Sequence, residues 1–256
     1  MINVLDLFRL DGQVAVVTGG GGGIGRGIAL GLAGAGADVA IAGRRAAPLE
    51  ETAALIRAKG RGALAIPTDV TRPESVQKLI DATLKEFGKI TIWVSNAGGL
   101  QEQKLGLLSQ TSDESWDATT TLNFKAVWQC AKAAQVVLPD GGCIINVSSI
   151  GGLRDGAPHN GVYTASKAAV NHLTKTLAQE LAPRRIRVNA IAPGPVATED
   201  YHDASGFTEA QFEKLAAKQP LGRLGKDEDF GAAAVYLASR ASEWVTGHIL
   251  VVSGGV

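Results

Sequence analysis

A run of five glycines that follows a short apolar segment is the feature that most constrains the fold. Residues 13–17 read Gln-Val-Ala-Val-Val, a pattern typical of a buried parallel strand. The glycines occupy 19–23, and an alanine- and leucine-rich helical stretch comes next. Glycines let the backbone approach a phosphate, and a helix N-terminus offers free N–H groups and a positive dipole end. The order strand, turn, helix predicts a dinucleotide site, with a merely flexible loop as the alternative.

The glycine run allows two registers of such a site. The general dinucleotide fingerprint would use Gly20, Gly22 and Gly25, whereas a more specialised one would use Gly19, Gly23, Ile24 and Gly25 after Thr18. The run itself satisfies both spacings, so both registers remain open at this point.

Apolar strand-like runs alternate with helical stretches along the chain. The strand-like runs are 14–17, 39–42, 63–66, 91–94, 143–147, 188–191 and 248–252, and the helical stretches between them include 48–59, 73–87, 114–138, 163–181 and 227–239. This alternation predicts an α/β fold, a single doubly wound Rossmann-like domain over residues 1–256. We expect a mostly parallel sheet of seven strands with helices on both faces. A polar break at 199–226 predicts a lid over the substrate.

Composition argues against several classes of protein. The 256 residues carry a formal net charge of zero and no long run of one sign, so we expect neither a nucleic-acid surface nor a polybasic membrane anchor. No apolar stretch has membrane-spanning length, and the opening residues are too short and acidic for a signal peptide. The two cysteines, Cys130 and Cys143, lack metal-ligand spacing. We expect no metal site and a cytoplasmic location.

Tyr163 and Lys167 lie four residues apart in a predicted helix and therefore share one helix face. A phenol titrates near pH ~10, so it is a poor proton shuttle at neutral pH unless a nearby cation favours the phenolate. Lowering its pKa by about three units would take roughly 4 kcal/mol, which a close ammonium and a cationic cofactor could supply. The alternative is an ordinary helix with a half-buried tyrosine and a solvated lysine.

Together with the specialised glycine register, this pair resembles the pattern of the short-chain dehydrogenase/reductase family, from about Leu10 to the C-terminus. Further motifs follow in the family's order. They are Asp69-Val70 near the adenine, Asn96-Ala97-Gly98 in a turn, Asn123 in the fourth helix, Ser149 at a strand end, and Pro193, Gly194 and Val196 in the segment that contacts nicotinamide. Ser95 departs from the asparagine that the family usually has before Asn96.

The resemblance implies an oxidoreductase that interconverts a secondary alcohol and a ketone by hydride transfer with a nicotinamide cofactor. By resemblance, Tyr163 is the acid/base, and Lys167 lowers its pKa and holds the nicotinamide ribose. Ser149 would bind the substrate oxygen, and Asn123 would anchor a water that relays protons. Ser148 competes with Ser149, because the spacing from Ser149 to Tyr163 is one residue longer than the family's usual one. The alternative function is a catalytically silent dinucleotide sensor on the same fold.

The end of the second strand bears on cofactor choice. A site selective for NAD usually presents a carboxylate about twenty residues after the glycines. Here Gly43 is followed by Arg44 and Arg45, and the first carboxylate is Glu50. A guanidinium matches a phosphate, so Arg44 favours NADP over NAD. The alternative is a pair of solvated arginines at a helix entry, since the family's other basic position is Gly22 here.

The sequence leaves the substrate open among small or medium hydroxy/oxo compounds that are steroid-, sugar- or oxoacyl-like. We expect the pocket rim at 99–108, 153–160 and 199–218. The family's carrier-protein reductases have basic residues at the end of the fourth helix, and residues 135–142 have none. Two helices are rich in small residues and predict packing against a twofold-related copy, hence a homodimer or homotetramer. These residues are Ala131, Ala133, Ala134, Ala165, Ser166, Ala168 and Ala169.

Overall fold

Seven strands form one sheet in the computed structural model, which describes residues 3–99, 106–154, 159–198 and 208–255. The strands are β1 (Val14–Thr18), β2 (Asp38–Gly43), β3 (Ala63–Pro67), β4 (Ile92–Ser95), β5 (Cys143–Val147), β6 (Arg187–Pro193) and β7 (Ile249–Val252). Their order is β3-β2-β1-β4-β5-β6-β7, and every neighbouring pair is parallel. The predicted doubly wound α/β fold is confirmed, with an entirely parallel sheet.

Helices cover both faces of this sheet. They are α1 (Gly23–Gly34), α2 (Ala46–Ala58), α3 (Pro73–Phe87), α4 (Asp113–Thr120), α5 (Ala126–Val137), α6 (Gly161–Leu181), α7 (Glu209–Ala217) and α8 (Asp227–Ala238). Adjacent strand residues point to opposite faces, so Val17 packs in one core with side chains of α1, α2 and α8. Val16 packs in the other core, with side chains of α3, α5 and α6.

The strand order reverses between β1 and β4, which follow each other in the sheet although two strands separate them in sequence. In doubly wound folds, ligands bind at this switch point, outside the carboxyl ends of the strands. We therefore expect the site residues at the turns after β1 and β4.

The stretch 114–138 is not one continuous helix as the sequence predicts. A π-helical turn, Thr121–Lys125, lies between α4 and α5. Single π-turns occur frequently at functional sites. Of the predicted lid at 199–226, the part from 208 onward is described and contains α7, whose N-terminus is capped by Thr208 and Gln211. The rest, 199–207, lies outside the described residues.

Candidate active site

Thr18 joins the two turns at the switch point. Its hydroxyl donates to the carbonyl of Val94 at 3.2 Å and accepts from the backbone N–H groups of Asn96 and Ala97 at 3.0 and 3.1 Å. The Asn96 amide in turn donates to the carbonyls of Thr18 and Gly19 at 2.9 and 3.2 Å. These bonds fix Asn96, Ala97 and the glycine turn against each other. Sequence reasoning placed Thr18 in the motif without finding this role.

The backbone of the glycine turn favours the specialised register. Gly19 and Gly23 have φ angles of 68° and 48°, in the left-handed region that favours glycine. A Cβ at Gly25 would overlap the carbonyl oxygen of Gly19, so the turn closes onto the first turn of α1. Gly20 and Gly22 belong only to the general register, and neither has a positive φ. The turn thus forms a cradle without side chains at the N-terminus of α1, and this shape fits a pyrophosphate.

Asp69 and Arg44 lie near each other on the far side of this turn. The Asp69 carboxylate accepts from the backbone N–H and the hydroxyl of Thr71 at 3.0 and 2.7 Å. Partial burial alone would raise the pKa of Asp69, but the Thr71 bonds and the charges of Arg72 and Arg44 lower it below its ordinary value. Arg44 is exposed between β2 and α2, and Val70 is buried beside Asp69.

The structure distinguishes the two candidate serines. The Ser148 hydroxyl is buried and donates to the backbone carbonyl of Lys167 at 3.1 Å. The Ser149 hydroxyl is partly exposed, accepts from the N–H of Gly151 at 3.1 Å and lies near enough to Tyr163 to lower the pKa of its phenol. Of the two, Ser149 is therefore the one that meets the tyrosine.

Tyr163 and Lys167 project from the first two turns of α6. The Lys167 side chain is buried, and its ammonium donates to the carbonyl of Val147 at 2.9 Å and lies 5.6 Å from the centre of the Tyr163 ring. The alternative of a solvated lysine is therefore wrong. Burial lowers the pKa of Lys167 to about 8.

Burial raises the pKa of Tyr163, and the nearby Ser149 hydroxyl acts in the opposite direction. The expectation that Lys167 and a cationic cofactor together depress this pKa stays a prediction, because it concerns the chain with its cofactor bound.

Asn123 lies in the π-turn and is fully buried. Its amide donates to the carbonyls of Gly99 and Thr119 at 2.9 and 3.0 Å, and its oxygen accepts from the N–H of Gly99 at 2.9 Å. A Cβ at Gly98 would lie 2.9 Å from this oxygen and 3.2 Å from the Lys167 ammonium. Asn123, Gly98 and Lys167 therefore meet, and Asn123 is not a polar surface residue. Both amide donors are engaged, so the side chain has only acceptor capacity left for a water.

The segment after β6 closes the site from the other side. The N–H of Gly194, next to Pro193, donates to the carbonyl of Val252 at 2.9 Å. Val196 is buried and bridges to Gly225, and a Cβ at Gly23 would lie 2.8 Å from the methyl carbon of Thr198. This segment thus reaches the glycine turn.

A cavity of about 580 Å³ opens beside the Ile150–Gly152 turn. Its lining comprises Leu107, Leu108, Gly151, Gly152, Arg154, His159, Gly161, Thr164, Ala165 and Ala168. Four of these lie in the predicted pocket rim, whereas residues 100–105, 155–158 and 199–207 of that rim lie outside the described residues. Its surface is mostly apolar with two basic side chains. Across the described ranges, no group of three or more metal-ligating side chains is found.

Comparisons with known proteins agree with this geometry. A family model described as enoyl-(acyl carrier protein) reductase matches residues 19–256. A short-chain type dehydrogenase/reductase of Picea abies is 42% identical, over 96% of this chain and 93% of that protein. A hydroxynaphthalene reductase-like protein of Metarhizium brunneum is 38% identical, over 96% and 95%. The crystal structure of a short-chain dehydrogenase from Burkholderia cenocepacia in complex with NADP has a TM-score of 0.88 at 33% identity, over 96% and 98%.

Proposed function

Because the chain belongs to the short-chain dehydrogenase/reductase family of oxidoreductases, we propose that it interconverts a secondary alcohol and a ketone with a nicotinamide dinucleotide. One observation carries this proposal: the Ser149 hydroxyl acts on Tyr163 beside the buried ammonium of Lys167, which lies 5.6 Å from the centre of the tyrosine ring. A phenol, a hydroxyl donor and a cation are the groups that a carbonyl reduction needs around the substrate oxygen. Since all three are in place, nothing in the described site favours the silent-sensor alternative.

The residues around the switch point fit a dinucleotide. The cradle of Gly19, Gly23 and Gly25, with Ile24 at the start of α1, would hold the pyrophosphate, because its backbone lies without side chains at a helix N-terminus and a Cβ at Gly25 would push Gly19 out of place. Other residues would hold the remaining parts. Asp69 and Val70 would contact the adenine, Asn96, Ala97 and Gly98 the central ribose, Tyr163 and Lys167 the nicotinamide ribose, and Pro193, Gly194 and Val196 the nicotinamide. When bound, the cofactor supplies or accepts the hydride.

The chain's own residues move the proton. Ser149 would donate a hydrogen bond to the substrate oxygen, and Tyr163 would give its proton to that oxygen in reduction or remove it in oxidation. The cation of Lys167 favours the phenolate that forms, because an opposite charge within a few ångströms stabilises it in a buried site. Asn123 holds Gly98 and Gly99 beside this lysine, and we assign it to the path by which protons reach Tyr163 from solvent.

We infer a preference for NADP over NAD. Arg44 stands exposed at the end of β2, where a carboxylate would bind the 2′-hydroxyl of NAD. Its charge helps to lower the pKa of Asp69, the residue that we assign to the adenine, and this nearness supports a role for Arg44 at the adenine ribose. A related dehydrogenase has been solved in complex with NADP, which supports the same choice.

The cavity supports a substrate with an apolar body. Leucine, glycine and alanine dominate the described lining, and α7 belongs to the stretch that we assign to the lid. A carrier-protein partner is not favoured. Arg184, in the turn after α6, reaches the end of α5, where it already donates to the carbonyls of Gln135 and Leu138 and to the carboxylate of Asp140.

We propose that the protein is a single-domain homodimer or homotetramer. The small residues predicted to contact the partner differ in their exposure to solvent. Ala131, Ala134 and Ser166 are buried within their own chain, whereas Ala165 and Ala168 are exposed on α6. Large aromatic side chains stand exposed on α4 and α5 and the turn between them, namely Trp116, Phe124 and Trp128. Exposed apolar groups of this size support an interface on that surface.

Among the described helices, none is long and apolar enough to cross a membrane.

A panel of ketones with NADPH or NADH, followed at the nicotinamide absorbance, tests the proposed function. We expect oxidation of the cofactor with at least one apolar ketone and the reverse reaction with the matching secondary alcohol. Binding of NADPH without turnover of any ketone or alcohol in the panel would instead support the sensor alternative.

A further inference from the structure

The Ser149 hydroxyl is held by the turn that follows it. Its oxygen accepts from the N–H of Gly151 at 3.1 Å, within the short turn Ile150–Gly152. A hydroxyl has one hydrogen to donate and two lone pairs. Because the Gly151 bond occupies a lone pair, the hydrogen is left for another acceptor. The position of this turn therefore decides where Ser149 can donate.

The turn is itself fastened to α6 at Gly152. A Cβ at Gly152 would lie 2.6 Å from the carbonyl carbon of Lys167 and 2.7 Å from the nitrogen of Ala168, so the turn rests directly on the helix backbone. One helical turn further along, the amide of Asn171 donates to the carbonyl of Gly152 at 3.2 Å. Asn171 is the side chain that ties this turn to the helix carrying Tyr163 and Lys167.

Stability alone does not account for an asparagine at this position. Asn171 is 6% exposed, and its oxygen is buried without a hydrogen bond from the described part of the protein. A buried acceptor without a partner costs free energy that an apolar side chain of similar volume would not. Such a group in a native protein calls for another explanation.

We propose that Asn171 is a positioning residue for catalysis, which holds the Gly152 carbonyl and thereby aims the Ser149 hydroxyl at Tyr163 and the substrate oxygen. This inference rests on the proposed function of the same site. Asn171 acts through Gly152 and Gly151 and touches no reacting atom.

The test replaces Asn171 with leucine, and with methionine as a second apolar variant. We expect kcat to fall about 10- to 100-fold, because a catalytic group misplaced by about 1 Å costs a factor of this order. The KM for NADP should not change. The melting temperature should change little, because removal of the orphaned oxygen offsets the loss of the bond to the Gly152 carbonyl, which is partly exposed to water.

A pH profile separates positioning from a structural role. The Ser149 hydroxyl holds down the pKa of Tyr163 before the substrate oxygen takes its single hydrogen. The pKa seen in kcat/KM for alcohol oxidation, which reports the enzyme before substrate binds, should therefore rise in Asn171→Leu, as it should in Ser149→Ala. Lys167 is the charged group that the structure places against Tyr163, and the substitution leaves its bond to Val147 intact. The double variant Ser149→Ala/Asn171→Leu should lose little beyond Ser149→Ala alone, because the two residues act as one unit.

Ser166→Ala is the matched control. Ser166 lies on the same helix, is equally buried and only donates back to the carbonyl of Val162 at 2.8 Å. We expect it to leave kcat and the pH profile unchanged.

Three outcomes overturn the inference. They are an unaltered kcat and pH profile in both Asn171 variants, loss of folding in both, or full additivity with Ser149→Ala. Each is distinct from failure of the proposed function, in which wild type would turn over no alcohol or ketone, or Tyr163→Phe would be as active as wild type.

Discussion

The ammonium of Lys167 donates a hydrogen bond to the backbone carbonyl of Val147 at 2.9 Å. This bond joins the first turns of α6 to the end of β5, and the Ser148 hydroxyl joins them again by donating to the Lys167 carbonyl at 3.1 Å. Burying a cation whose partner is a neutral carbonyl costs free energy, and for that reason the pKa of Lys167 falls to about 8. The site therefore keeps a charge at the tyrosine at the expense of stability.

This cost predicts how stability depends on pH. A lysine in the unfolded chain titrates near ~10.4, whereas Lys167 in the folded chain titrates at about 8. Between these values the unfolded chain binds more protons, so the contribution of Lys167 to stability should rise with pH across this window, by on the order of 3 kcal/mol in all. In urea unfolding from roughly pH 7.5 to 9.5, wild type should gain stability relative to Lys167→Met. The difference between the two proteins is the quantity to measure, because burial raises the pKa of Cys130 and Cys143 and makes both proteins lose stability with pH in the same window.

Lys85→Met is the control for that experiment, because Lys85 is exposed on α3. Its pH dependence should match that of wild type. If the unfolding free energy of wild type and that of Lys167→Met changed with pH in parallel, the prediction would be wrong, and water would reach the Lys167 ammonium in solution.

Tyr163→Phe tests the assignment of the acid/base. The substitution removes only the hydroxyl, so we expect turnover to fall by about 10²–10⁴ while NADP still binds. Stopped-flow or steady-state rates give the first quantity, and nicotinamide fluorescence gives the second. Tyr236→Phe is the matched control, since Tyr236 lies on α8 with its ring against Phe8, away from the site. Retention of more than about a tenth of the chemistry-limited rate in Tyr163→Phe would remove it from the proton path.

Periodicity predicted the sheet well because each buried strand is a short apolar run. The run 143–147 coincides with β5, and 91–94 differs from β4 by one residue. Periodicity could not find the break in 114–138, since the π-turn coincides with long-range bonds between Asn123 and Gly99 that periodicity does not register. The left-handed backbone of His159, with a φ of 71°, is a similar case. Its carbonyl accepts from Gly106, a partner more than fifty residues away.

The two candidate serines show the same limit. Spacing left Ser148 and Ser149 as alternatives, because neighbouring residues differ mainly in the direction of their side chains. The contacts of Ser148 with Lys167 and of Ser149 with Gly151 distinguish them. The effect of Lys167 on the tyrosine pKa stays a prediction. Sequence gives neighbours along a helix but not the depth of burial, and burial raises this pKa in the chain.

Arg187 should matter for stability and not for chemistry. It lies at the start of β6 and donates to the carbonyls of Leu237 and Ala238 at 2.6 and 3.2 Å and to the Ser242 hydroxyl at 2.7 Å. It thereby caps the C-terminus of α8 with a positive charge. Arg187→Met should cost about 2–4 kcal/mol of unfolding free energy, because it leaves these acceptors without a donor. Chemical denaturation measures this loss, and the exposed Arg240→Met is the control.

An unchanged midpoint for Arg187→Met would show that water replaces the guanidinium at no cost. The activity per folded molecule should in either case stay close to that of wild type, since Arg187 contacts none of the proposed site residues.

The aromatic surface on α4 and α5 predicts the assembly. Phe124 and Trp128 are 37% and 42% exposed, and Trp116 is 45% exposed on the same run of helix. We expect light scattering at micromolar concentration to show a dimer or larger species. Trp128→Glu should shift it toward monomer, because a carboxylate would be buried at the interface without a partner. Leu55→Glu, which places the same charge on an exposed leucine of α2, should not. A monomeric wild type would refute the assembly.

The cofactor preference is tested at Arg44. If its guanidinium binds the 2′-phosphate, Arg44→Ala should lower kcat/KM for NADPH by roughly 10- to 150-fold, as expected for a charge-assisted contact of about 1.5–3 kcal/mol, with little change for NADH. Gly43→Asp should act in the opposite direction by repelling the phosphate. The position accepts a side chain, since its φ is not positive and a Cβ would lie 3.5 Å from Leu49.

Two further measurements make the cofactor test decisive. Arg45 can replace part of the lost charge, so Arg44→Ala/Arg45→Ala should show the larger effect, and higher salt should weaken NADPH binding more than NADH binding. Arg57→Ala, which removes an exposed guanidinium from α2, is the matched control and should change neither cofactor's kcat/KM. A wild type that prefers NADH, with Arg44→Ala silent for both cofactors, would mean that the two arginines only flank the start of α2. The absence of a carboxylate after β2 would then need another explanation.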